Sequence, residues 1–304
     1  MPITLPQLSR REFLKRAALA GAAAALVPPG HAALFGKSRD AHTFAFFSDA
    51  HIAADVAATH LNCNMADHLT AAVNELVAWP VKPGSIIING DLTFEKGLPA
   101  DYAGFGKIIQ PLRALAPIHL TLGNHDQREN FWNAFPHDTL KEKSVPQKNV
   151  GYVGTLRANW FLLDSLATTN SAPGELGAAQ LDWLGRELAF HHRRDALIVI
   201  HHNPQFGPVT TGLRDTTALM ELLARHPHVK AVIYGHTHDW HCTQHESGIH
   251  LINLPPTAYP FHEKRPCGWV RCTLTKDGAE FELRCLDVNH PQHKETQTLK
   301  WRTG

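Results

Sequence analysis

Cysteine is scarce in this chain and follows no pattern. Five occur in 304 residues, at Cys63, Cys242, Cys267, Cys272 and Cys285, and no two stand at C-x-x-C spacing. That argues against a thiolate zinc site and makes buried thiols the default, with one disulfide among the last four left open in an oxidising compartment. An excess of one charge sign is lacking too. The formal net charge is +1 for the whole chain, and −2 once the first 33 residues, with four Lys/Arg and one Glu, are set aside. Neither balance makes the basic footprint that a nucleic acid duplex or an anionic membrane attracts. A membrane helix needs roughly 20 apolar residues, and the Ala-rich run 17–27 stops at Pro28-Pro29. Beyond it there is no repeat, no low-complexity tract and no linker. Residues 34–304 therefore read as one domain, and an apolar content of 43% supports a substantial core. The polar stretch 142–148 reads as a surface loop within it.

What the N-terminus does contain is an export pattern. Ser9-Arg10-Arg11-Glu12-Phe13-Leu14-Lys15 fits the twin-arginine signal S-R-R-x-F-L-K, and the Ala-rich run then leads to the small-residue site His31-Ala32-Ala33. A basic region, a short apolar region and a small-residue site describe a signal peptide over residues 1–33. The implied partner is the twin-arginine export machinery, the implied location periplasmic or secreted, and stable membrane insertion is not expected. Retention as an uncleaved anchor is the competing reading.

The rest alternates between two periodicities. Short β-rich apolar runs at 44–47, 86–88, 118–122, 197–200 and 229–234 read as strands covered on both faces. Between them, Met65, Leu69, Ala72, Val73, Leu76 and Val77 recur at helical spacing, as do Leu181, Leu184 and Leu188. This is the signature of βαβ units and an α/β fold. The last third changes character: 249–253 and 269–286, with a turn at Lys276-Asp277-Gly278, read as antiparallel strands. Two packed sheets with helices outside follow.

Each of the five apolar runs is closed by a block of polar residues set beside small ones. The blocks are Asp49-Ala50-His51, Gly90-Asp91, Gly123-Asn124-His125-Asp126, His201-His202 and Gly235-His236-Thr237-His238. A single D-x-H or H-x-H arises by chance. Five in register, each at the C-terminal edge of a strand where α/β folds bind ligands, do not. Imidazole mixed with carboxylate suits Fe, Zn or Mn. Two such ions roughly 3.5–4 Å apart activate a bridging water and clamp phosphoryl oxygens in an in-line displacement.

The ordered blocks resemble the calcineurin-like metallophosphoesterase family, whose pattern is D-x-H, G-D, G-N-H-[DE], H, G-H-x-H. The resemblance implies a four-layer α-β-β-α sandwich of two packed mixed sheets and a binuclear metal centre of divalent or trivalent ions. It implies that Asp49, His51 and His238 hold one ion, that Asn124, His201 and His236 hold the other, and that Asp91 bridges them. His125 then faces the phosphate as a catalytic group, the alternative being an imidazole that only orients Asn124. Asp126 is expected to fix the His125 ring. The family places its ligand first in H-H-P-P, which selects His201 and leaves His202 at the cleft wall. Asn203 replaces the usual first Pro, so the lining on the leaving-group side, expected near Asn203, Phe206 and Trp240, departs from the family pattern.

Finer cues are similar to bacterial class III cyclic-nucleotide phosphodiesterases and glycerophosphodiesterases. They are Gln127-Arg128 with Phe131 and Phe135 after the third block, Gly174-Glu175-Leu176, Gly212-Leu213-Arg214-Asp215, and Pro256-Thr257-Ala258-Tyr259 after the last. Arg128 is either a substrate contact or a loop brace, and Phe131, Trp132 and Phe135 read as core. The expected activity is hydrolysis of small phosphodiesters by a metal-bridging hydroxide. An exported phosphomonoesterase is the alternative, although Leu92, Thr93 and Phe94 after Asp91 lack the Tyr ligand of purple acid phosphatases. A non-catalytic scaffold is disfavoured because no ligand is missing. Self-association is left open.

Overall fold

A computed structural model of the chain describes residues 39–140 and 142–303. The export segment lies outside the described residues. The chain builds two six-stranded mixed sheets and a small hairpin. The first sheet contains β1 (Arg39–Ser48), β4 (Lys82–Asn89), β5 (Ile118–Thr121), β12 (Gly268–Leu274), β13 (Gly278–Cys285) and β14 (Thr296–Lys300), in the order β14-β13-β12-β1-β4-β5. Here β1, β4 and β5 run parallel, and β12 to β14 add antiparallel neighbours. The second contains β6 (Gly151–Gly154), β7 (Ala158–Leu162), β8 (Asp195–Val199), β9 (Val229–Tyr234), β10 (His241–Gln244) and β11 (His250–Asn253), ordered β10-β11-β9-β8-β7-β6. The hairpin pairs β2 (Thr59–His60) with β3 (Cys63–Asn64). Its two-residue turn, Leu61-Asn62, takes positive φ at both positions, as a tight hairpin requires.

Alternation within the strands explains the four layers. A strand sends successive side chains to opposite faces, and here both faces are apolar. Phe44, Phe46 and Ile87 meet Trp160, Leu162, Leu197, Val199 and Ile233 between the sheets. Their neighbours Ala45, Phe47, Ile86 and Ile88 face outward onto α1 (Met65–Ala78), α2 (Pro99–Ile109) and α3 (Arg128–Ala134). On the far side Phe161, Ile198 and Val232 meet Trp183, Leu184, Leu219 and Leu223 from α4 (Ala178–Phe190) and α5 (Thr216–Ala224). Each such fully buried Val, Leu, Ile or Phe side chain contributes about 1.5–3 kcal/mol. α1 carries its apolar stripe as expected, and its N-cap Asn64 accepts a hydrogen bond from the Asp67 N–H at 2.9 Å. Phe131 and Phe135 are buried against Tyr102, as core.

Two expectations need correction. The stretch 249–253 is not part of an antiparallel C-terminal set: β11 runs parallel to β9 in the second sheet, because the short edge strand β10 reverses the chain first. The strands β6 and β7 were not anticipated at all, although Trp160-Phe161-Leu162-Leu163 is an apolar run of the right length. All five cysteines are free thiols.

Candidate active site

The five blocks converge where the C-terminal ends of β1, β4 and β5 meet those of β8 and β9. Backbone bonds lace the blocks together: Asp49 N–H to the Gly90 carbonyl at 3.2 Å, His51 to Asp91 at 2.9 Å and Gly235 to His201 at 3.0 Å. A buried Asn89, which the sequence did not single out, ties the two sheets directly. Its amide donates to the Ile200 carbonyl at 2.9 Å and accepts from the Thr121 hydroxyl at 2.8 Å.

The backbone at the blocks is unusual. Asp49, His51, Asp91, His236 and His238 all take φ between 45° and 70°. Side chains rarely adopt this region, at a cost on the order of 1 kcal/mol each. The motif glycines are needed for space. A Cβ on Gly123 would stand 2.2 Å from Asp91 Oδ1, and one on Gly235 would stand 2.5 Å from Asp49 Oδ2.

The side chains form overlapping clusters. Ligand atoms of Asp49, His51 and His238 lie within 4.8 Å of one another, as do those of Asp91, His201 and His236. Asp91 also groups with His51 and His125, so it stands between the two sets. His238 Nε2 is 3.4 Å from Asp49 Oδ1, and His201 Nε2 is 3.2 Å from Asp91 Oδ2.

Carbonyls set the ring protons. A carbonyl only accepts, so the imidazole nitrogen facing it carries the hydrogen and leaves the other nitrogen's lone pair for a cation. Nδ1 of His51, His201 and His238 faces the carbonyls of Phe94 (3.4 Å), Asn89 (3.2 Å) and Tyr259 (2.6 Å). His236 instead places Nε2 3.1 Å from the Thr211 carbonyl, which leaves Nδ1 for a ligand. Nε2 of His51 and Nε2 of His238 consequently converge to 3.0 Å with their protons committed elsewhere. Facing lone pairs at that distance call for a cation between them. The buried Asn124 Oδ1 and His201 Nε2 make no hydrogen bond. These residues fit a metal centre.

Electrostatics agree. Burial alone would raise Asp49, yet the imidazoles of His201 and His238 outweigh it and hold the carboxyl down to about 2. Asp91 is likewise pushed well below its ordinary value by His201 and His51 against its burial. Burial disfavours charge on His201, but Asp91 and Asp49 lift it to about 9. Burial lowers His51 to about 3, and burial with the neighbouring His201 lowers His236 to about 4. Two ionised, buried carboxylates make a pocket that attracts cations, and in the metal-free chain the His201 imidazolium supplies the nearest positive charge.

His125 sits over this group. Its backbone N–H donates to Asp91 Oδ1 at 2.8 Å, and its Nδ1 lies 3.1 Å from the Glu95 carbonyl. With that nitrogen engaged, Nε2 is left toward the cluster. A cavity of about 240 Å³ opens there, lined by His51, Asp91, His125, His236 and His238 of the cluster, by Glu95, and by the rings of His60, Phe94, Tyr259 and Phe261. That aromatic side was missed. Tyr259 lay in a noted motif and Phe94 just after one, while His60 sits in a two-residue strand and Phe261 in a loop without periodicity.

Several expected contacts are placed elsewhere. Asp126 does not hold the His125 ring. Its buried carboxylate accepts from the Gly123 and Leu92 N–H groups and the Tyr102 hydroxyl, bracing two blocks against each other. Burial and the nearby Asp91 raise it to about 7. Arg128 turns away from the cavity and grips Asp164 through two bonds, of 2.7 and 2.9 Å, and also donates to the Leu166 carbonyl. His202 is buried beneath His236, with Nδ1 2.7 Å from the Ser165 hydroxyl. Asn203 donates to its neighbour Pro204 and receives Leu213 N–H on its carbonyl. Trp240 belongs to the core between the sheets, and Phe206 stacks on His245 at a different cavity. Asn203, Phe206 and Trp240, expected on the leaving-group side, therefore do not line this cavity.

Fold and site define a metal-dependent phosphoester hydrolase. A family model for calcineurin-like phosphoesterases matches residues 42–240, and the chain belongs to that family. It is 31% identical over 222 residues to 3',5'-cyclic adenosine monophosphate phosphodiesterase CpdA of Pseudomonas aeruginosa, covering 70% of this chain and 75% of that one. The protein of the same name from Escherichia coli strain K12 is 30% identical over 214 residues, covering 64% and 70%. Among solved structures, a dimetal phosphatase from Danio rerio superposes with a TM-score of 0.65 at 18% identity, over 86% of this chain and 99% of that one.

Proposed function

We propose that the chain is a binuclear metal-dependent phosphodiesterase acting on small diesters of the cyclic-nucleotide or glycerophosphodiester type. One observation carries it: Asp91 groups with His51 on one side and with His201 and His236 on the other, and the cluster opens onto a cavity whose lining holds no Lys or Arg among the described residues. A diester brings one negative charge and needs no further cation, whereas a monoester dianion is better served by added positive side chains. The curated relatives named as cyclic-nucleotide phosphodiesterases support the same reading.

In this proposal Asp49, His51 and His238 hold one ion, Asn124, His201 and His236 the other, and Asp91 both. Bound there, a metal pair supplies an activated water and neutralises phosphoryl oxygens. The chain's own contribution is positional. Carbonyls of Phe94, Asn89, Tyr259 and Thr211 lock the imidazole tautomers, and Asp126 fixes the spacing of the Gly90 and Gly123 loops. His125, when protonated, delivers its Nε2 proton to the departing alkoxide and keeps the Nδ1 proton on the Glu95 carbonyl, a task suited to the basicity of imidazole. The aromatic side of the cavity receives the leaving alcohol.

The test compares bis-p-nitrophenyl phosphate with p-nitrophenyl phosphate on one metal-loaded preparation. The diester should show the higher kcat/KM and leave the monoester as an accumulating product. A monoester advantage of tenfold or more overturns the reading in favour of a phosphatase. Export through the twin-arginine machinery to the periplasm belongs to the same proposal. It is supported by Ser9–Lys15 and the Ala-rich stretch after it.

A further inference from the structure

The aromatic side of the cavity is built from three separate loops. The β2–β3 hairpin brings His60, the loop after β4 brings Phe94, and the loop after β11 brings Tyr259 and Phe261. His60 packs between Phe94 and Tyr259, with ring centroids 5.4 and 4.7 Å away. Phe261 lies flat on His238, at 4.1 Å and 7° between planes. One face of Phe261 is thus pinned against a metal-site imidazole, while the side chain as a whole stays 53% exposed. An exposed phenyl ring costs solvation free energy in the free protein, and nothing in the core requires it there. The hairpin turn that delivers His60 is also strained, with Leu61 at φ 46°.

We infer that Phe261, with Phe94 and His60, is a stacking platform for the nucleobase of a nucleotide substrate. The inference rests on the diesterase reading and narrows it toward cyclic nucleotides over glycerophosphodiesters. Flat rings attract other flat rings in offset or edge-on arrangement. Stacking on an aromatic side chain tolerates any base, since every base has a π-face. An alkyl or glycerol group presents no such face and gains only area burial. The whole cavity is about 240 Å³, and part of it belongs to the metal cluster. Because Phe261 touches His238 directly, a phosphoryl group held at the metal cluster carries its sugar and base toward the open face of that ring.

Binding separates the base from the chemistry. Adenosine 5'-monophosphate and ribose 5-phosphate differ by the base alone, and both are measured by calorimetry on metal-loaded protein. Wild type should prefer the nucleotide by on the order of tenfold, within the range of one base–aromatic stack. Phe261→Ala and Phe94→Ala should each shrink that preference to about twofold or less, and Phe261→Trp should restore it. Metal content is determined for every variant, so that loss of a stacking partner is told apart from damage to His238. A wild-type preference near unity overturns the proposal, as does a preference retained in both alanine variants. Turnover of bis-p-nitrophenyl phosphate by wild type reports separately: its absence defeats the diesterase reading, while the ratio of the two binding constants still decides the platform.

Discussion

Replacing Arg128 with Ala distinguishes a brace from a substrate contact. The guanidinium makes a two-pronged ion pair with Asp164, which is fully buried, and caps the Leu166 carbonyl. Removing one partner of a buried pair costs about 3–5 kcal/mol, mainly through the charge left behind. Asp164 is not abandoned here, because the N–H groups of Asn149 and Leu166 still reach its oxygens at 2.8 and 3.0 Å. Arg128 is also 20% exposed and borders a cavity of about 370 Å³, so water reaches the vacated place. Both facts put the loss at the lower end, about 3 kcal/mol. In a chain of this size that lowers the melting temperature by roughly 6–12 °C. Thermal unfolding of the metal-loaded protein measures the loss, and diester kinetics below the transition measure function. The expected result is lower stability with KM changed less than about threefold, because Arg128 lines none of the catalytic cavity. Unchanged stability with a tenfold rise in KM refutes the brace and restores the substrate contact.

Three further outcomes follow from the site. Asp91→Asn should drop metal content below two ions per chain in elemental analysis, and two retained ions with unchanged turnover count against the bridge. His125→Ala should lose about 10²–10⁴-fold in kcat with metal content intact, less for a nitrophenolate leaving group than for an alkoxide. Loss of metal in that variant makes His125 a ligand or structural residue, which its grouping with His51 and Asp91 makes a sharp alternative. Replacing Arg10 and Arg11 with Lys should strand the protein in the cytoplasm, read by cell fractionation, and a normal periplasmic level removes the export proposal.

The expected ligand residues converge because their chemistry leaves its mark in residue identity. Asp, His and Asn at the ends of apolar runs are recognisable since few other side chains bind a metal. The same holds for the sandwich, whose strands bury both faces and so read as continuous apolar runs. What escaped notice was mostly backbone. The groups that lock His51, His201, His238 and His125 are carbonyls of Phe94, Asn89, Tyr259 and Glu95, and any residue there offers the same oxygen. Asp126 was misplaced for that reason: proximity in sequence suggested His125, but two backbone N–H groups and a tyrosine hydroxyl satisfy it instead. The aromatic wall escaped differently. Its members come from three loops, and no local pattern marks residues that meet only in space.

The same loops reveal how much of the sequence serves the metal centre without touching a metal. Five candidate ligands sit in left-handed backbone, a cost on the order of 1 kcal/mol each that core packing must offset. Gly90 takes φ 67°, and a Cβ there would also stand 2.3 Å from His201 Nδ1, so the second block admits no other residue without moving a ligand. In a metal-free chain, the facing lone pairs of His51 and His238 add further strain. Relief of that strain by cations is a stabilisation the unfolded chain does not share, so bound metal must raise stability as well as enable chemistry. The strands β4, β5, β8 and β9 that lead into these loops bury most of the side chains they carry, and that rigid frame is what lets the loops hold a geometry their own backbone disfavours.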